Sequence, residues 1–425
     1  MKKIISILMS IALVTSLAAC GSKDDAPETD NNAGVETDAD ADADKEDVEQ
    51  AQGVYDDKIV VGNTAATSGD YAPVGTPFNA GIESYFAYIN EQGGVDGRKI
   101  EFVHHDDEFD PVKGKAMLST LVEDDKIFSL VGHFGTPVVG ATIEDVKDYG
   151  IPAVYFATGI GQLYNDDAKG RERGIFPVQP IYVTEGQIFV ARAVGDFDAK
   201  KIGVIYTNDD AGKDLYEGAK LKAEEIGVEL VAEQVTAGAT DVSSAVTTIK
   251  NADVDFIIGA AIQGTIPTIV KELANQNVNK DIITTYVNVS PVIAEQVVNE
   301  IAGKFEVYAL GWVDILGENA ESVALYAEKT PEYADNVYAM TGWIAAHFFT
   351  EGLKRVEGPI TWESFMDAME KEPIKNPFGG VIDFGNGLRA GTQEMNLSKV
   401  SHENKAGEWL LEDELRSMDE LLEGK

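Results

Sequence analysis

Short apolar runs rich in β-branched residues alternate with helical patterns through most of the chain, and this alternation constrains the fold more than any other feature. Runs that are apolar along their whole length are typical of parallel strands buried on both faces. The predicted strands are KIVVG (58–62), KIEFVHH (99–105), IFSLVG (127–132), IPAVYF (151–156), KIGVIYT (201–207), VELVAEQV (228–235), VDFIIGA (254–260) and DIITTY (281–286). Residues 74–91 repeat large apolar side chains at helical spacing before Gly93 and Gly94 end the pattern. Strands alternating with helices predict an α/β fold with doubly wound parallel sheets.

Length and charge narrow the possibilities further. About 365 residues follow an N-terminal stretch whose composition does not allow it to fold. This length is more than a single hydrophobic core usually contains, so it predicts two α/β lobes. The formal net charge is -39, from 73 acidic and 34 basic residues. This surface would repel a polyanion, and no Lys/Arg stripe is present that could neutralise phosphates. Nucleic acid is therefore excluded as a partner.

The first residues have the pattern of an export signal. Lys2 and Lys3 precede an apolar run (4–17) that is too short to span a bilayer stably, and small residues lead to Cys20. Residues 1–19 are therefore predicted to be removed as a signal peptide. Cys20 is the only cysteine, and its setting resembles the lipobox of bacterial lipoproteins, which implies an acylated Cys20 that anchors the chain to the outer face of the cell membrane. The alternative is an ordinary secretory peptide with an incidental cysteine.

Residues 20–57 are acidic and contain almost no large apolar side chain. Too little apolar surface is available to offset the entropy of ordering, and the like charges repel one another. The composition predicts a disordered tether. Roughly 35 flexible residues have a root-mean-square reach of about 30 to 35 Å, enough to hold a folded body away from a membrane.

Loops rich in small and hydroxyl-bearing residues follow three predicted strands of the first lobe: NTAATSGDYAPVG, GHFGTPVVGAT and ATGIGQLY. In open α/β sheets, ligands bind beyond the carboxyl ends of the strands. Ser68, Thr136 and Thr158 can donate or accept hydrogen bonds there, and helix N-termini offer free N–H groups to an anionic or carbonyl group. A carboxylate-bearing ligand fits this chemistry. The alternative is that these residues only cap helices.

Several stretches together resemble one family, the type I periplasmic solute-binding proteins of the branched-chain amino acid kind, which serve ABC importers. The stretches are TSGDYAPVG (67–75), INEQGGVDGRKIEFVHHDDEFDP (89–111), LVGHFGTPVVGAT (130–142), YGIPAVYFAT (149–158), KKIGVIYTNDDAGKDL (200–215), TAGATDVSSAVTTIKNADVDFIIG (236–259) and the helix that contains Tyr338.

The resemblance implies two lobes joined by a three-segment hinge, with crossings near residues 180, 310 and 392. The implied segments are 58–180 and 311–392 for lobe 1, and 181–310 and 393–425 for lobe 2. It further implies a monomeric, extracytoplasmic binding protein that uses no cofactor or metal and catalyses no reaction. Such a protein delivers a small molecule to the permease and ATPase subunits of an ABC importer.

Amino acid binders of this family hold the ligand carboxylate with groups that follow the third and fourth strands of the first lobe. The positions that the resemblance assigns to this role are Thr136, Ala157, Thr158 and Gly159, and Gly135 is a further predicted ligand contact. In the second lobe the family uses an acidic side chain for the ligand ammonium, but Tyr286 stands at that position and the nearby Asn288 offers only a neutral acceptor. An ammonium without a counter-charge in a dry cleft keeps much of its desolvation cost.

Other pocket positions also depart from the family pattern. Val74, Ala211 and Ile262 stand where the branched-chain amino acid binders have tyrosines, whereas Tyr71 and Tyr338 can supply aromatic walls. These differences predict a larger or more apolar ligand without a primary ammonium, rather than leucine. Further predicted contacts, each of which can instead belong to the surface or the core, are Asn208, Gln263 and Trp312.

The sequence contains few residues for other chemistry. His104 and His105 are adjacent on a predicted strand and point to opposite faces, so they cannot chelate one metal together. Neither a dinucleotide fingerprint nor a GxSxG motif is present. The leading hypothesis is a lipid-anchored solute-binding subunit of an ABC importer, with an amino acid or another small carboxylate or amide as cargo. A sensory protein that reports its ligand to a membrane receptor is the alternative, and an α/β enzyme is a third hypothesis.

Overall fold

Strands and helices alternate along the folded part of the chain, for which the computed structural model describes residues 50–315, 319–403 and 407–424. The strands are β1 (Lys58–Ala65), β2 (Lys99–Asp106), β3 (Ser129–Phe134), β4 (Ala153–Ala157), β5 (Ile175–Phe176), β6 (Lys201–Thr207), β7 (Glu229–Val235), β8 (Phe256–Ala260), β9 (Ile282–Thr284), β10 (Val307–Gly311), β11 (Ile374–Lys375), β12 (Val381–Ile382), β13 (Glu394–Val400) and β14 (Trp409–Ser417). The helices are α1 (Ala72–Glu91), α2 (Pro111–Glu123), α3 (Thr136–Tyr149), α4 (Tyr182–Gly195), α5 (Asp210–Ile226), α6 (Ser243–Ala252), α7 (Ile266–Asn275), α8 (Pro291–Ile301), α9 (Ala320–Lys329), α10 (Val337–Lys354), α11 (Trp362–Lys371) and α12 (Met418–Leu422).

Two sheets organise these elements. The first is five-stranded and parallel, in the order β2-β1-β3-β4-β5, and the second is seven-stranded, in the order β14-β13-β10-β9-β8-β6-β7. We call the first sheet with the helices packed on it lobe 1 and the second lobe 2. Lobe 2 is not wholly parallel, because β13 pairs antiparallel with β10 and β14 antiparallel with β13. The predicted α/β fold with two doubly wound lobes is confirmed, with this antiparallel edge as a correction.

The chain passes between the sheets three times. It leaves the first sheet after β5 and enters the second at β6. After β10 it returns to lobe 1, where α10 packs along α1 and contacts β3 and β4. It then re-enters the second sheet at β13. The numbered boundaries of the lobes stay a prediction.

The predicted signal peptide (1–19), Cys20 and most of the tether lie outside the described residues. The end of the predicted tether (20–57) is nevertheless ordered against lobe 1. The Gln52 side chain donates hydrogen bonds of 3.0 Å to the carbonyls of Val122 and Ile127, and Val54 is only 8% exposed. The prediction of disorder is therefore wrong for residues 50–57, because long-range contacts that composition cannot reveal offset the entropy of ordering this segment.

Candidate ligand-binding site

A cavity lies between the two sheets, at the carboxyl ends of their strands. Its empty space is about 650 Å³, including the part that opens to solvent. Residues that follow β1, β2, β3 and β4 line it from lobe 1, and residues that follow β8, β9 and β10 line it from lobe 2. The carboxyl ends of parallel strands meet at one edge of a sheet, so this position agrees with the one expected for ligands in open α/β sheets.

Many of the predicted site residues line this cavity. Lobe 1 contributes Tyr71, Val74, Gly135, Thr136 and Ala157, lobe 2 contributes Ile262, Gln263 and Tyr286, and Trp312 and Tyr338 follow the second crossing. The Asn336 carboxamide caps α10 by accepting hydrogen bonds from the backbone N–H groups of Tyr338 and Ala339. This cap fixes the start of the helix, and with it Tyr338, at the cavity.

Other predicted residues lie outside the lining. Thr158 and Gly159 pack directly behind it, in contact with Thr136 and with the first crossing respectively. Ala211 is fully buried in the lobe 2 core. Asn288 is also buried, and its amide donates to the Ala261 carbonyl and the Thr284 hydroxyl.

Two further predicted residues are exposed at the surface. The backbone N–H of Ser68 donates to the Asp106 carboxylate over 3.3 Å. The side-chain amide oxygen of Asn208 accepts a hydrogen bond from the Ala237 N–H over 3.1 Å. Both residues lie in surface loops and do not line the cavity, which is deeper between the lobes than their prediction as ligand contacts implied.

The polar end of the cavity is in lobe 1. The hydroxyl oxygens of Thr136 and Thr158 lie 2.8 Å apart, and the Thr158 hydroxyl accepts a hydrogen bond from the Ile160 N–H over 3.2 Å. Burial raises the pKa of Tyr182 to about 12, and hydrogen bonds with the Thr136 and Thr158 hydroxyls oppose this rise. Thr136 is the first residue of α3, so the partial positive charge of the helix N-terminus also lies here. Hydroxyl groups and a helix N-terminus can together bind a carboxylate or a carbonyl oxygen.

A stacked aromatic pair forms one wall. The rings of Tyr71 and Phe109 are 3.7 Å apart at an angle of 13°. Phe109 has a left-handed backbone with φ of 64°, and the Asp107 carboxylate accepts a 2.8 Å hydrogen bond from its N–H. Gly135 leaves room for the ring, because a Cβ at that position, where φ is 92°, would lie 2.7 Å from it. Phe109 was not among the predicted site residues. The signal that could have indicated it is that it follows β2, which pairs with β1 and ends at the same edge of the sheet.

The first crossing between the lobes is also part of the site. Its two lining residues, Gln179 and Tyr182, were not predicted from the sequence. The Gln179 amide nitrogen donates to the Tyr155 hydroxyl over 2.7 Å. The Tyr286 hydroxyl from lobe 2 donates to the Pro180 carbonyl at 3.1 Å and approaches the Gln179 amide oxygen at 3.3 Å. These hydrogen bonds therefore join Tyr286 of lobe 2 to the first crossing.

Lobe 2 contains a buried acid behind Tyr286. The Glu185 carboxylate in the first turn of α4 accepts hydrogen bonds from the Thr285 hydroxyl at 2.7 Å and from the Tyr286 N–H at 2.8 Å. Burial raises the pKa of Glu185 to about 8. Glu185 does not line the cavity, and both of its oxygens are bonded to lobe 2 groups.

Comparison with known proteins agrees with this architecture. A family model described as "Periplasmic binding protein" matches residues 58–407. The chain belongs to this family. The predicted family membership is therefore confirmed.

Individual relatives and structures are similar at low identity. Leu/Ile/Val-binding protein homolog 1 from Brucella abortus (strain 2308) is 22% identical over 330 residues, which cover 76% of this chain and 85% of that protein. The structure of a fatty acid ABC transporter substrate-binding protein from Thermomonospora curvata matches with a TM-score of 0.76 at 20% identity, over 89% of this chain and 96% of that one. A branched chain amino acid ABC transporter from Thermus thermophilus with bound valine matches with a TM-score of 0.73 at 17% identity, over 85% and 97%. At these identities the structural matches show the shared fold.

The two lobes of this periplasmic binding protein contact each other beside the cavity. The Gly161 N–H of lobe 1 donates a 2.7 Å hydrogen bond to the Asp214 carboxylate of α5 in lobe 2. A Cβ added to Gly159 would lie 2.2 Å from the Pro180 carbonyl oxygen and 2.9 Å from the Tyr286 hydroxyl. Lobe 1 thus approaches the crossing and lobe 2 closely enough at Gly159 to exclude any side chain there.

The adjacent histidines of the binding protein have separate partners, as strand alternation predicted. The His104 ring contacts the Thr67 hydroxyl at 3.0 Å and the Asn63 side-chain oxygen at 3.1 Å. The His105 ring contacts the Asp125 carboxylate at 2.7 Å. Within the ranges that the structure covers, no group of three potential metal ligands is assembled. Across the same ranges, none of the helices has the length and apolarity that a membrane span requires.

Proposed function

We propose that this chain is the extracytoplasmic solute-binding subunit of an ABC importer, and that it captures an amino acid or a related small carboxylate or amide between its lobes without altering it. The observation that carries the proposal is a cavity lined from both sheets at the carboxyl ends of their strands, in a chain that crosses three times between them. The names of its relatives support the cargo class, since they describe proteins that bind branched-chain amino acids and fatty acids.

Capture by closure follows from this geometry. A ligand that contacts Thr136 from lobe 1 and Ile262 from lobe 2 makes both sets of contacts only when the lobes are together. Because such a ligand binds the closed form more tightly, it shifts the population toward closure. A permease that recognises the closed form would then receive only loaded protein. In this proposal lobe 1 comprises 58–180 and 311–392, and lobe 2 comprises 181–310 and 393–425.

Attachment to the membrane through Cys20 belongs to the same proposal. The motif at the end of the predicted signal peptide supports it, and a diacylated cysteine would give lasting attachment where a single chain would not. Replacing Cys20 with serine should move the protein from the membrane fraction into the soluble extracytoplasmic fraction. A variant that stays in the membrane fraction would contradict the lipid anchor.

The transport role is tested in the source cell. Protein purified without denaturation is unfolded to release its bound compound, which mass spectrometry identifies. Deleting the gene should then abolish uptake of that compound, and the wild-type gene should restore it. Unchanged uptake together with loss of a transcriptional or chemotactic response to the compound would favour the sensory alternative. Recovery of a chemically altered compound after incubation would point to an enzyme.

A further inference from the structure

The lining of the cavity is uncharged. Among the described residues that form it there is no Asp, Glu, Lys, Arg or His. Two acids behind the lining bond to protein groups. Glu185 bonds to the Thr285 hydroxyl and the Tyr286 N–H. Asp209, whose charge acts on the Tyr71 phenol, accepts hydrogen bonds from the Thr207 hydroxyl and the Gly212 N–H.

One end of the cavity combines hydroxyl groups with a helix N-terminus. The Thr136 and Thr158 hydroxyls, the Tyr182 phenol and the N-terminus of α3 lie together there. Toward lobe 2, the Gln263 amide already donates to the Val287 carbonyl over 2.7 Å. The amide nitrogen of Gln179 likewise donates to a protein hydroxyl. Both of these amide nitrogens therefore already have protein partners.

The remaining walls are aromatic and aliphatic. The stacked pair of Tyr71 and Phe109 faces the cavity from lobe 1. Ile262 and Trp312 face it from lobe 2 and the second crossing, and they are 7% and 4% exposed. Such walls favour burial of an apolar body, at about 25 cal/mol per Å² of apolar surface removed from water.

We infer that, given the proposed function, the cargo is a monocarboxylate with a branched or aromatic apolar body and without an ammonium group. Its carboxylate would bind at Thr136 at the start of α3, with the Thr158 hydroxyl behind Thr136 as its hydrogen-bond partner. An α-ammonium would be desolvated in the cavity without a counter-charge from the lining.

Matched pairs of compounds test the absence of the ammonium. 4-Methylpentanoate is leucine without its amino group, and 3-phenylpropanoate is phenylalanine without it. In calorimetric titrations of the full folded chain, freed of bound compound by dialysis, each acid should bind at least about tenfold more tightly than its amino acid. Equal or tighter binding of the amino acids would overturn the inference.

The uncharged amide of the same skeleton tests the carboxylate. 4-Methylpentanamide should bind about tenfold more weakly than 4-methylpentanoate, because the helix N-terminus favours negative charge. An amide that binds as tightly as the acid would show that the polar end does not select a carboxylate. Thr136→Ala should reduce this preference for the acid, and an unchanged preference would remove Thr136 from the proposed carboxylate site.

Two substitutions of Gln263, both of which lose the hydrogen bond to the Val287 carbonyl, separate the effect of charge from structural damage. Gln263→Glu places a carboxylate in the lining with little change in shape, so the ratio of leucine to 4-methylpentanoate affinity should rise by about tenfold or more. Gln263→Met, a neutral change of similar length, should alter both affinities alike. A ratio that stays constant in Gln263→Glu would overturn charge as the basis of selection.

Failure of this inference can be told from failure of the proposed function. If none of these acids binds, while natively purified protein releases a compound of another class whose uptake depends on the gene, the cargo class is wrong and the importer role stands. If natively purified protein releases no compound and small-angle scattering detects no closure with any compound tested, the proposed function itself fails.

Discussion

Replacing Glu185 with glutamine tests how lobe 2 holds Tyr286 at the cavity. The carboxylate is fully buried, and it accepts hydrogen bonds from the Thr285 hydroxyl and the Tyr286 N–H at 2.7 and 2.8 Å. In Glu185→Gln the side-chain oxygen can still accept from the Tyr286 N–H. The amide nitrogen can donate to the Thr285 hydroxyl, so both contacts survive without the ionisable group.

The magnitude follows from the pKa. Burial raises the pKa of Glu185 from its ordinary 4.5 to about 8. Because the folded protein binds this proton more tightly than the unfolded chain, the carboxyl's contribution to stability is fully present below about pH 4.5 and is lost as the pH rises through about 8. A pKa difference of this size corresponds to about 5 kcal/mol of unfolding free energy. Glutamine does not ionise and should avoid this loss.

Equilibrium urea unfolding measures the effect. The two proteins should have similar unfolding free energies near pH 4, and Glu185→Gln should be the more stable by several kcal/mol above about pH 8. Glu224→Gln, at an exposed position of α5, is the control and should change little at either pH. A difference between Glu185→Gln and wild type that is the same at both pH values would refute the reasoning.

Three further predictions concern lobe contact and the N-terminal segment. Gly159→Ala should lower ligand affinity by about tenfold or more, because its Cβ would lie 2.2 Å from the Pro180 carbonyl at the first crossing and 2.9 Å from the Tyr286 hydroxyl of lobe 2, which it would push away; calorimetry measures this, and Gly161→Ala, whose Cβ would meet no atom closer than 3.3 Å, should have a smaller effect. Asp214→Ala removes the acceptor for the Gly161 N–H and should weaken ligand binding by about 1 kcal/mol, whereas an affinity equal to wild type would show that this bond does not contribute to closure. Gln52→Ala loses two hydrogen bonds to lobe 1 and should lower the unfolding free energy by about 1 to 3 kcal/mol in urea; no loss would mean that the segment adds nothing to stability.

Most strands of both sheets could be predicted from sequence, including the edge strands β2 and β7, whereas β5, β10, β13 and β14 were not among the predicted strands. β3 and β8 are buried on both faces, so their apolar runs are unambiguous. β14 is different, because most of its residues are exposed or half-buried and its sequence, WLLEDELRS, mixes charges with apolar residues. An edge strand with one solvated face has no continuous apolar run, and its pairing with β13 depends on a distant part of the chain.

The candidate site shows the same division between local and long-range information. Thr136 and Ala157 were predicted because they lie at the carboxyl ends of neighbouring strands, which meet at one edge of the sheet. Phe109 reaches the cavity through a left-handed backbone, and Tyr182 reaches it because the chain crosses between lobes just before α4. Neither cause is a local sequence pattern. Ala211 was assigned by resemblance alone, which does not determine whether a helical residue faces the cavity or the core.

The ordered residues before β1 determine which lobe bears a mechanical load. Gln52 bonds to carbonyls at the end of α2 and before β3, and the Ala51 N–H donates to the Ile360 carbonyl over 2.9 Å. A pull on the chain from its N-terminal side is therefore transmitted into lobe 1. If the lobes close as proposed, lobe 2 would move relative to lobe 1 without bearing that pull, so tension in the proposed attachment would not by itself resist closure.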